Sequence, residues 1–466
     1  MEDKSKLLQK FCTAMEKNRV RLHGAVLVSK KEVVGEIYKF PYTAQTKTRM
    51  YSVSKSIVSL AIGRLVYEEK LSLDEKIADI FSGKFDMGQV HPYLKEQTVR
   101  DMLKMTTVYS RATYTANDKD WLKSYFGAVE PSHPCGTVWY YDSSGSYVLG
   151  AIVKHRTGKD YIEYLRPVFD KIGVSEGVYT IEGPDGEGWG ASGFIATTSD
   201  LAKIAYLFLQ KGEWEGEQLI SKDYAMQATS ALERNDDGGV YSRFDCGYGY
   251  QIWSHPNGAF AFRGLGGQLA IGFKGRDLVF ACTADTTGNH TFYDDIFSAV
   301  EEIILPEFPV INQEEYFQAL PSKVDKNVFD EIANKTFVLD DNIMKIYSIR
   351  FEREGKDYRF YYKREKEELH IDFSLDREVQ IEFPQKYNGK KLFNIDYEIN
   401  YKCSVVAEWL TERKLKIVVW AEDFYVGNFS MCFAFRQDGK IGVKMQKNAQ
   451  FFFDDFTGFA GGKMIK

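Results

Sequence analysis

The sequence predicts an α/β domain built on a mostly antiparallel sheet, followed by a second domain of short antiparallel strands. Three observations predict this fold class. Apolar periodicity runs in the order two strands, a long helical region, four strands and a helix. Prolines then cluster in a short stretch, and beyond them apolar and polar residues alternate in brief segments. A length of 466 residues is enough for roughly two to four domains.

The elements of the first domain follow from the spacing of its apolar residues. Helical spacing predicts helices over 1–20, 54–67, 74–80, 98–105, 147–155, 199–210 and 293–305. Strands are predicted over 24–28, 33–38, 249–253, 259–262, 269–273 and 278–283. Ser199 is the predicted N-cap of its helix, because its hydroxyl can accept from first-turn amides. We expect the first and last parts of the sheet to pair across the helical region.

A proline cluster marks the domain boundary. Pro306, Pro309 and Pro321 lie within 16 residues, and proline ends helices and stiffens connections. The predicted organisation is a first domain over 1–310, a linker over 311–325 and a β domain over 326–466. Strands of the β domain are predicted over 358–362, 369–373, 414–420, 429–435 and 442–445. Regular short strands of this kind are typical of a barrel or a sandwich.

Composition excludes several classes of function. The net charge is −6, with 60 basic and 66 acidic residues, which argues against a nucleic-acid partner. The sequence has no apolar run of roughly 20 residues and begins with charged residues, so we expect a cytoplasmic protein without a membrane partner. Its six cysteines form no C-x-x-C pair and its seven histidines no H-E-x-x-H motif, so no metal or other cofactor is expected. The oligomeric state stays open.

Ser52 and Lys55 begin a predicted helix and carry the first candidate chemistry. A serine three residues before a lysine places both side chains on one helix face. Burial lowers the pKa of a lysine, so its amine can act as a base toward the serine hydroxyl. The amide at the helix start can help to stabilise an oxyanion. Taken alone, the pattern favours a serine that merely caps the helix, since a chain this long contains about one or two such spacings by chance.

Four further stretches extend the pattern, at 60–63, 69–76, 98–106 and 192–202. Together with the Ser-x-x-Lys motif they resemble, in the same order, the serine β-lactamase and penicillin-binding-protein superfamily. The similarity is to the branch shared by class C β-lactamases, D-aminopeptidases and related esterases, and it covers about residues 20 to 305. It implies a β-lactamase-like antiparallel sheet flanked by helices, a mainly helical subdomain, a Ser52 nucleophile and a Lys55 base.

The second family motif corresponds to the stretch 136–145. Relatives usually carry Tyr-Ser-Asn where this sequence has Tyr141, Asp142 and Ser143. By resemblance, Tyr141 assists proton transfer between nucleophile and leaving group. Ser143 replaces the usual asparagine and is a candidate substrate contact, although a hydroxyl lacks the donor-plus-acceptor geometry of an amide.

The third motif departs furthest from the family. Where relatives carry Lys-Thr-Gly, the sequence has a glycine-rich run similar to that of some esterases and amide hydrolases. Placing the motif's glycine at position 264 puts Phe262 at the lysine position and turns Arg263 to the opposite sheet face. A backbone amide near Leu265 is the expected second oxyanion donor. The candidate substrate-binding residues of this run are Gly264, Leu265, Gly266, Gly267 and Gln268.

The strand-rich tail resembles the lipocalin-like barrels appended to some serine hydrolases of this group, so a C-terminal antiparallel β-barrel is expected. Its aromatic residues are explained by a filled core without a ligand. Trp139, Trp189 and Trp253 are candidates for an apolar cleft wall, although large aromatic residues usually pack in the core.

These motifs predict a serine acyl hydrolase that cleaves an ester or amide through an acyl-enzyme on Ser52. The expected substrate is a small molecule or short peptide: a small ester, a D-amino-acid peptide or an ω-amino amide. One alternative is a binding module that kept the fold but lost catalysis, because the second and third motifs are altered. The other is a true β-lactamase, which the missing lysine disfavours.

Overall fold

A seven-stranded antiparallel sheet forms the centre of the first domain. The computed structural model describes residues 4–234, 246–312, 324, 327–365, 367–386, 400–422, 426–449 and 453–465. The strands described in this domain are, in chain order, β1 (Arg21–Ser29), β2 (Glu32–Tyr38), β3 (Thr48–Arg49), β4 (Tyr179–Thr180), β5 (Phe194–Ala196), β6 (Glu213–Trp214), β7 (Glu217–Gln218), β8 (Gly247–Tyr248), β9 (Trp253–Ser254), β10 (Ala259–Gly264), β11 (Gln268–Phe273) and β12 (Leu278–Asp285). The central sheet has the order β2-β1-β12-β11-β10-β9-β8.

The predicted pairing of the first and last strands is confirmed. β1 lies between β2 and β12 and is antiparallel to both. Because side chains alternate along a strand, the two faces of β1 enter different cores. Ala25 and Leu27 pack toward the terminal helices, whereas Val26 and Val28 pack toward the helical subdomain.

Helices cover both faces of this sheet. The described α-helices are α1 (Ser5–Lys17), α2 (Val53–Tyr67), α3 (Ile77–Ile80), α4 (Pro92–Glu96), α5 (Val99–Leu103), α6 (Trp121–Tyr125), α7 (Ser143–Thr157), α8 (Tyr161–Lys171), α9 (Thr198–Leu209), α10 (Lys222–Ala228), α11 (Phe292–Ala299) and α12 (Phe329–Ile332). α1 and α11 share one apolar core, and α2 and α9 share the other. None of the helices in the described ranges is long and apolar enough to span a membrane.

Two local predictions are wrong. The predicted strand over 249–253 is mainly a turn between β8 and β9, and Gln251 adopts a φ of 59° there. The side-chain amide of Gln251 binds the carbonyls of Met102 and Leu103, so tertiary contacts hold a conformation that the apolar pattern does not indicate. α9 is capped by Thr197 and not by Ser199, because Thr197 and Asp200 form a reciprocal capping box.

The second domain is a nearly closed antiparallel barrel. Its strands are β13 (Thr336–Leu339), β14 (Ser348–Glu354), β15 (Asp357–Arg364), β16 (Glu367–Phe373), β17 (Val379–Lys386), β18 (Asn400–Thr411), β19 (Lys414–Ala421), β20 (Gly427–Phe435), β21 (Lys440–Asn448) and β22 (Gly458–Ile465). They form one sheet in the order β16-β15-β14-β13-β22-β21-β20-β19-β18-β17. The two edge strands are consecutive in the chain, so the sheet curls until its edges nearly meet. Of the predicted linker over 311–325, only 311, 312 and 324 are among the described residues.

Aromatic side chains fill the interior of the barrel. Phe360 packs 4.9 Å from Phe433, and Phe429 stacks 4.2 Å from Phe456, measured between ring centroids. All four side chains are buried. The barrel core is therefore built as a packed interior of aromatic side chains.

Charged groups join the barrel to the first domain. The carboxylate of Glu233 is only 5% exposed and forms ion pairs with Lys104 of the first domain and Lys414 of the barrel. Burial raises the pKa of Glu233, but the two ammonium groups outweigh it and hold that pKa below the ordinary value. Arg436 of the barrel also forms an ion pair with Glu96. Removing one member of such a buried group leaves the other charges uncompensated, so these contacts keep the two domains together.

Candidate active site

Ser52 lies immediately before the first residue of α2. Tyr51, which precedes it, has a φ of 48°, a left-handed conformation that costs a non-glycine residue of order 1–3 kcal/mol. Ser52 occupies the N-cap position, yet its side chain makes no capping hydrogen bond. Its Oγ lies 3.1 Å from the Nζ of Lys55. The hydroxyl is thus directed to the amine and not to the helix amides, which argues against a purely capping serine.

Lys55 is buried, with 1% of its surface exposed. Its Nζ donates a hydrogen bond to the carbonyl of Ala191 at 2.9 Å. Burial lowers the pKa of Lys55 to about 7, and the nearby charge of Asp142 only partly opposes that effect. A large fraction of this amine is therefore neutral near pH 7 and able to accept the Ser52 proton.

The ring of Tyr141 lies close to the same amine. The Nζ of Lys55 lies 4.9 Å from the centroid of its ring. The ring stacks on Trp253 at 5.7 Å and also approaches Trp139 and Tyr248. Ser143, the first residue of α7, is half-buried. The structure therefore brings Ser52, Lys55 and Tyr141 together, as the resemblance implies.

The third motif forms the hairpin turn between β10 and β11, next to the nucleophile. A Cβ added to Gly264 would lie 2.2 Å from the carbonyl oxygen of Met50, so only glycine permits this approach to the segment before Ser52. Phe262 is fully buried against Phe208 on the helical side of the sheet. Arg263 points to the other face, over the rings of Trp253 and Tyr293. Phe262 is therefore a packing residue that cannot supply a cation.

The turn itself depends on glycine and on one amide side chain. Gly266 and Gly267 have φ values of 80° and 86°, which side-chain-bearing residues rarely adopt. Leu265 at the tip is 67% exposed. Gln268 is buried, and its Nε2 donates to the carbonyls of Leu265 and Ala284. The Gln268 side chain therefore stabilises the turn through hydrogen bonds to its backbone and is not exposed as a substrate contact, whereas the Leu265 side chain is exposed to solvent.

Sequence reasoning missed three residues that organise the site. Arg49 binds the Ser192 carbonyl at 2.9 Å and lies over the ring of Tyr51, which steadies the backbone before the nucleophile. Asp142 caps α7, accepts from Thr107 and Ser144, and is the charged group that acts on Lys55. Gln251 accepts from Ser56 through its backbone carbonyl and so ties the β8–β9 turn to α2. Of these, only Asp142 carried a local signal, since aspartate before a helical run is a typical N-cap.

Comparison with known proteins identifies the family of the first domain. Residues 9–303, more than half of the chain, match the protein family described as Beta-lactamase. The chain belongs to the Beta-lactamase family. A curated relative with significant similarity is the 6-aminohexanoate-dimer hydrolase of Paenarthrobacter ureafaciens, 24% identical over 253 residues. That match spans 50% of this chain and 64% of the relative, which is less than two thirds of the relative's length.

Two solved structures resemble the whole chain of this Beta-lactamase family member. The octameric penicillin-binding protein homologue from Pyrococcus abyssi has a TM-score of 0.51 and 16% identity, covering 98% of this chain and 99% of that one. The structure of SurE with D-Leu has a TM-score of 0.55 and 14% identity, covering 97% of this chain and 98% of the other. At such identities the likeness concerns the fold, and it extends over both the first domain and the barrel.

Proposed function

We propose that this protein is a serine acyl hydrolase that cleaves an ester or amide through an acyl-enzyme on Ser52. The observation that carries the proposal is the 3.1 Å approach of Ser52 Oγ to a buried Lys55 amine whose pKa is lowered to about 7. A serine with an adjacent neutral base is the arrangement that nucleophilic catalysis requires.

The proposed reaction uses a nucleophile, a base, two oxyanion donors and a proton donor. Ser52 Oγ bonds to the substrate carbonyl carbon while its proton passes to Lys55 Nζ. Backbone amides at Ser52 and in the turn after Gly264 stabilise the oxyanion. Tyr141 passes the proton on to the leaving oxygen or nitrogen as that bond breaks, and water then releases the acyl group by the reverse transfers.

Substrate class follows from what the site offers and lacks. The buried Phe262 at the lysine position supports an ester or amide over a β-lactam, whose carboxylate relatives bind with that lysine. The name of the curated relative supports an ω-amino amide among the candidates, and small esters and D-amino-acid peptides remain substrates to be screened. The intact Ser52–Lys55 contact supports catalysis over a purely binding role.

Labelling with a fluorophosphonate tests the proposal directly. We expect one adduct, mapped by peptide mass spectrometry to Ser52, because the probe reacts with activated serine hydroxyls. The Lys55→Met variant should label at least about a hundredfold more slowly, since general-base assistance is typically worth 10²–10⁴. An unlabelled wild-type protein, or an adduct on another serine, would contradict the proposal.

The pH dependence of the reaction follows from the lowered pKa of Lys55. Only the neutral amine accepts a proton, so kcat/KM should fall about tenfold per pH unit below pH 7 and level off above it. An ordinary lysine, by contrast, would be neutral only near pH 10. The measurement is kcat/KM on a neutral ester between about pH 5 and pH 9. A profile that still rises tenfold per unit at pH 9 would show that Lys55 keeps an ordinary pKa.

A further inference from the structure

Arg49 is a half-buried arginine in β3, three residues before the proposed nucleophile. Its Nε and Nη2 donate to the carbonyl and the hydroxyl of Ser192, at 2.9 and 3.0 Å. Within the described part of the chain, no carboxylate forms an ion pair with Arg49 and its Nη1 has no acceptor. Arg64, Arg100 and Arg166 of the same domain, by contrast, each pair with a carboxylate. A guanidinium has five N–H donors, of which Ser192 takes two, so the others are available to a ligand.

The segment that holds Arg49 also holds the proposed base. Lys55 Nζ donates to the carbonyl of Ala191, and Arg49 Nε donates to the carbonyl of the next residue, Ser192, each at 2.9 Å. Because the Cα atoms of consecutive residues are only about 3.8 Å apart, the two nitrogens lie within about 12 Å of each other. A short substrate chain can therefore reach from Ser52, which contacts Lys55, to the guanidinium of Arg49.

Two aromatic rings pack against this guanidinium. Its Cζ lies 4.8 Å from the centroid of the Tyr51 ring and 4.5 Å from that of Trp189. Stacked rings orient the planar group and replace water at its faces, which strengthens its attraction for an anion. The N–H groups at the edge of a guanidinium match the two oxygens of a carboxylate. The geometry thus provides an oriented cation close to the nucleophile.

A separate part of the site is lined by Tyr141. A cavity of about 1240 Å³ lies between the first domain and the barrel, and Tyr141 belongs to its wall. Arg49, Tyr51 and Trp189 are not among the residues that line this cavity. Since Tyr141 gives its proton to the departing group in the proposed reaction, the leaving group belongs on the cavity side. The space next to Arg49 is then left for the acyl group.

Resting on the proposed function, we propose that Arg49 binds a carboxylate at the far end of the acyl group. The substrate class is an ester or amide of a dicarboxylic acid, in which the acyl part carries a second, free carboxylate a few bonds from the scissile carbonyl. Arg49 then binds on both sides: its contacts with Ser192 fix the guanidinium, and its remaining N–H groups receive the substrate. The carboxylate sets the position of the acyl chain and takes no part in the bond changes at Ser52.

Pairs of esters that differ only in this charge test the inference. The 4-nitrophenyl monoesters of glutaric, adipic and pimelic acid are each compared with the corresponding 4-nitrophenyl methyl diester, so the leaving group stays the same. We expect wild-type kcat/KM to favour at least one free acid over its methyl ester by about tenfold or more, the usual effect of a hydrogen bond to a charged group. In Arg49→Gln this ratio should fall to about one, because the positive charge is removed.

The ratio between the two esters separates substrate binding from a structural role. Arg49 also holds Ser192, so Arg49→Gln is expected to lower kcat/KM for both esters of a pair. Losses of equal size, which leave the ratio as in the wild type, would overturn the assignment of Arg49 to the carboxylate. Arg49→Lys keeps the positive charge and should retain part of the preference for the free acid.

Arg166 provides the matched control. Like Arg49, it donates to backbone carbonyls and lies over an aromatic ring, but its charge is paired with Asp170 at 2.7 Å. Arg166→Gln should therefore keep the wild-type ratio between the free acid and the methyl ester. Loss of the ratio in this variant as well would overturn the assignment, because the preference would then depend on general stability.

A further pair of esters places the charge on the leaving group. Both 4-acetoxybenzoate and its methyl ester transfer the same acetyl group to Ser52, and Arg49→Gln should not change the ratio between them. A preference for 4-acetoxybenzoate that disappears in Arg49→Gln would overturn the assignment to the acyl side. No preference for any free acid in the wild type would overturn the inference and leave the hydrolase intact. Turnover of none of these esters would contradict the proposed function and the inference with it.

Discussion

Replacement of Lys55 by methionine is expected to lower kcat/KM by about 10⁴-fold, the upper range for loss of a general base. Methionine keeps most of the apolar volume of the buried side chain but cannot accept the Ser52 proton. The measurement is kcat/KM on an ester that the wild type cleaves. Ser52→Ala removes the nucleophile itself. It should lower kcat/KM by about 10⁶-fold relative to the wild type, which is a larger loss than that of Lys55→Met.

The matched control for Lys55 is Lys154. Its Nζ donates to the Gly186 carbonyl at 2.6 Å, much as Lys55 holds the Ala191 carbonyl, but it is not in contact with Ser52. Lys154→Met should therefore retain kcat/KM within a few-fold of the wild type. All three variants should melt near the wild-type temperature. More than a tenth of wild-type activity in Lys55→Met would rule out this lysine as the base.

Replacement of Gly264 by alanine is expected to lower kcat/KM by at least about a hundredfold, because a misplacement of about 1 Å near the chemistry can cost that much. The new Cβ would lie 2.2 Å from the Met50 carbonyl oxygen, and backbone on both sides must move apart. That movement shifts both the turn and the segment that carries Ser52. Overpacking of this kind also costs about 1–3 kcal/mol in the free energy of unfolding.

Gly83 provides the control for this change. It lies in a turn after α3, and a Cβ added there has no atom within 4 Å. Gly83→Ala should leave kcat/KM unchanged and alter the unfolding free energy by less than about 0.5 kcal/mol. Steady-state kinetics and denaturant unfolding on the two variants give the comparison. Wild-type kinetics in Gly264→Ala would mean that the turn does not position the nucleophile.

The short-range pattern of apolar and polar residues was sufficient to predict much of the secondary structure. α2 and β1 could be predicted because their apolar spacing spans one element each. The relation of Ser52 to Lys55 could be predicted as well, since three residues along a helix place both on one face. Strand alternation likewise predicted that Phe262 and Arg263 face opposite ways, and the structure places them so.

Sequence pattern gave the wrong prediction where contacts within the folded chain outweigh the secondary-structure preference of the local segment. The segment at 249–253 is apolar enough for a strand, yet Gln251 turns it to bind the carbonyls at the end of α5. The N-cap of α9 is Thr197. Its side chain accepts from the Asp200 amide while the Asp200 carboxylate accepts from the Thr197 amide, and these two hydrogen bonds outweigh the single one that a Ser199 cap would make. The role of Tyr141 came from family resemblance, since nothing near it in sequence indicates a partner 86 residues earlier.

The sequence alone was enough to predict a β-lactamase-like domain followed by a barrel, and to propose Ser52 as the nucleophile and Lys55 as the base. It carried no sign that Lys55 would be buried, because its burial depends on segments as distant as Ala191, 136 residues away. Nor could it indicate the cavity, whose walls come from chain segments that are 305 residues apart at the Trp139–Lys444 contact. The burial and the lowered pKa of Lys55 arise from packing between distant segments of the first domain, and the cavity arises from packing between that domain and the barrel, so local sequence patterns indicate neither.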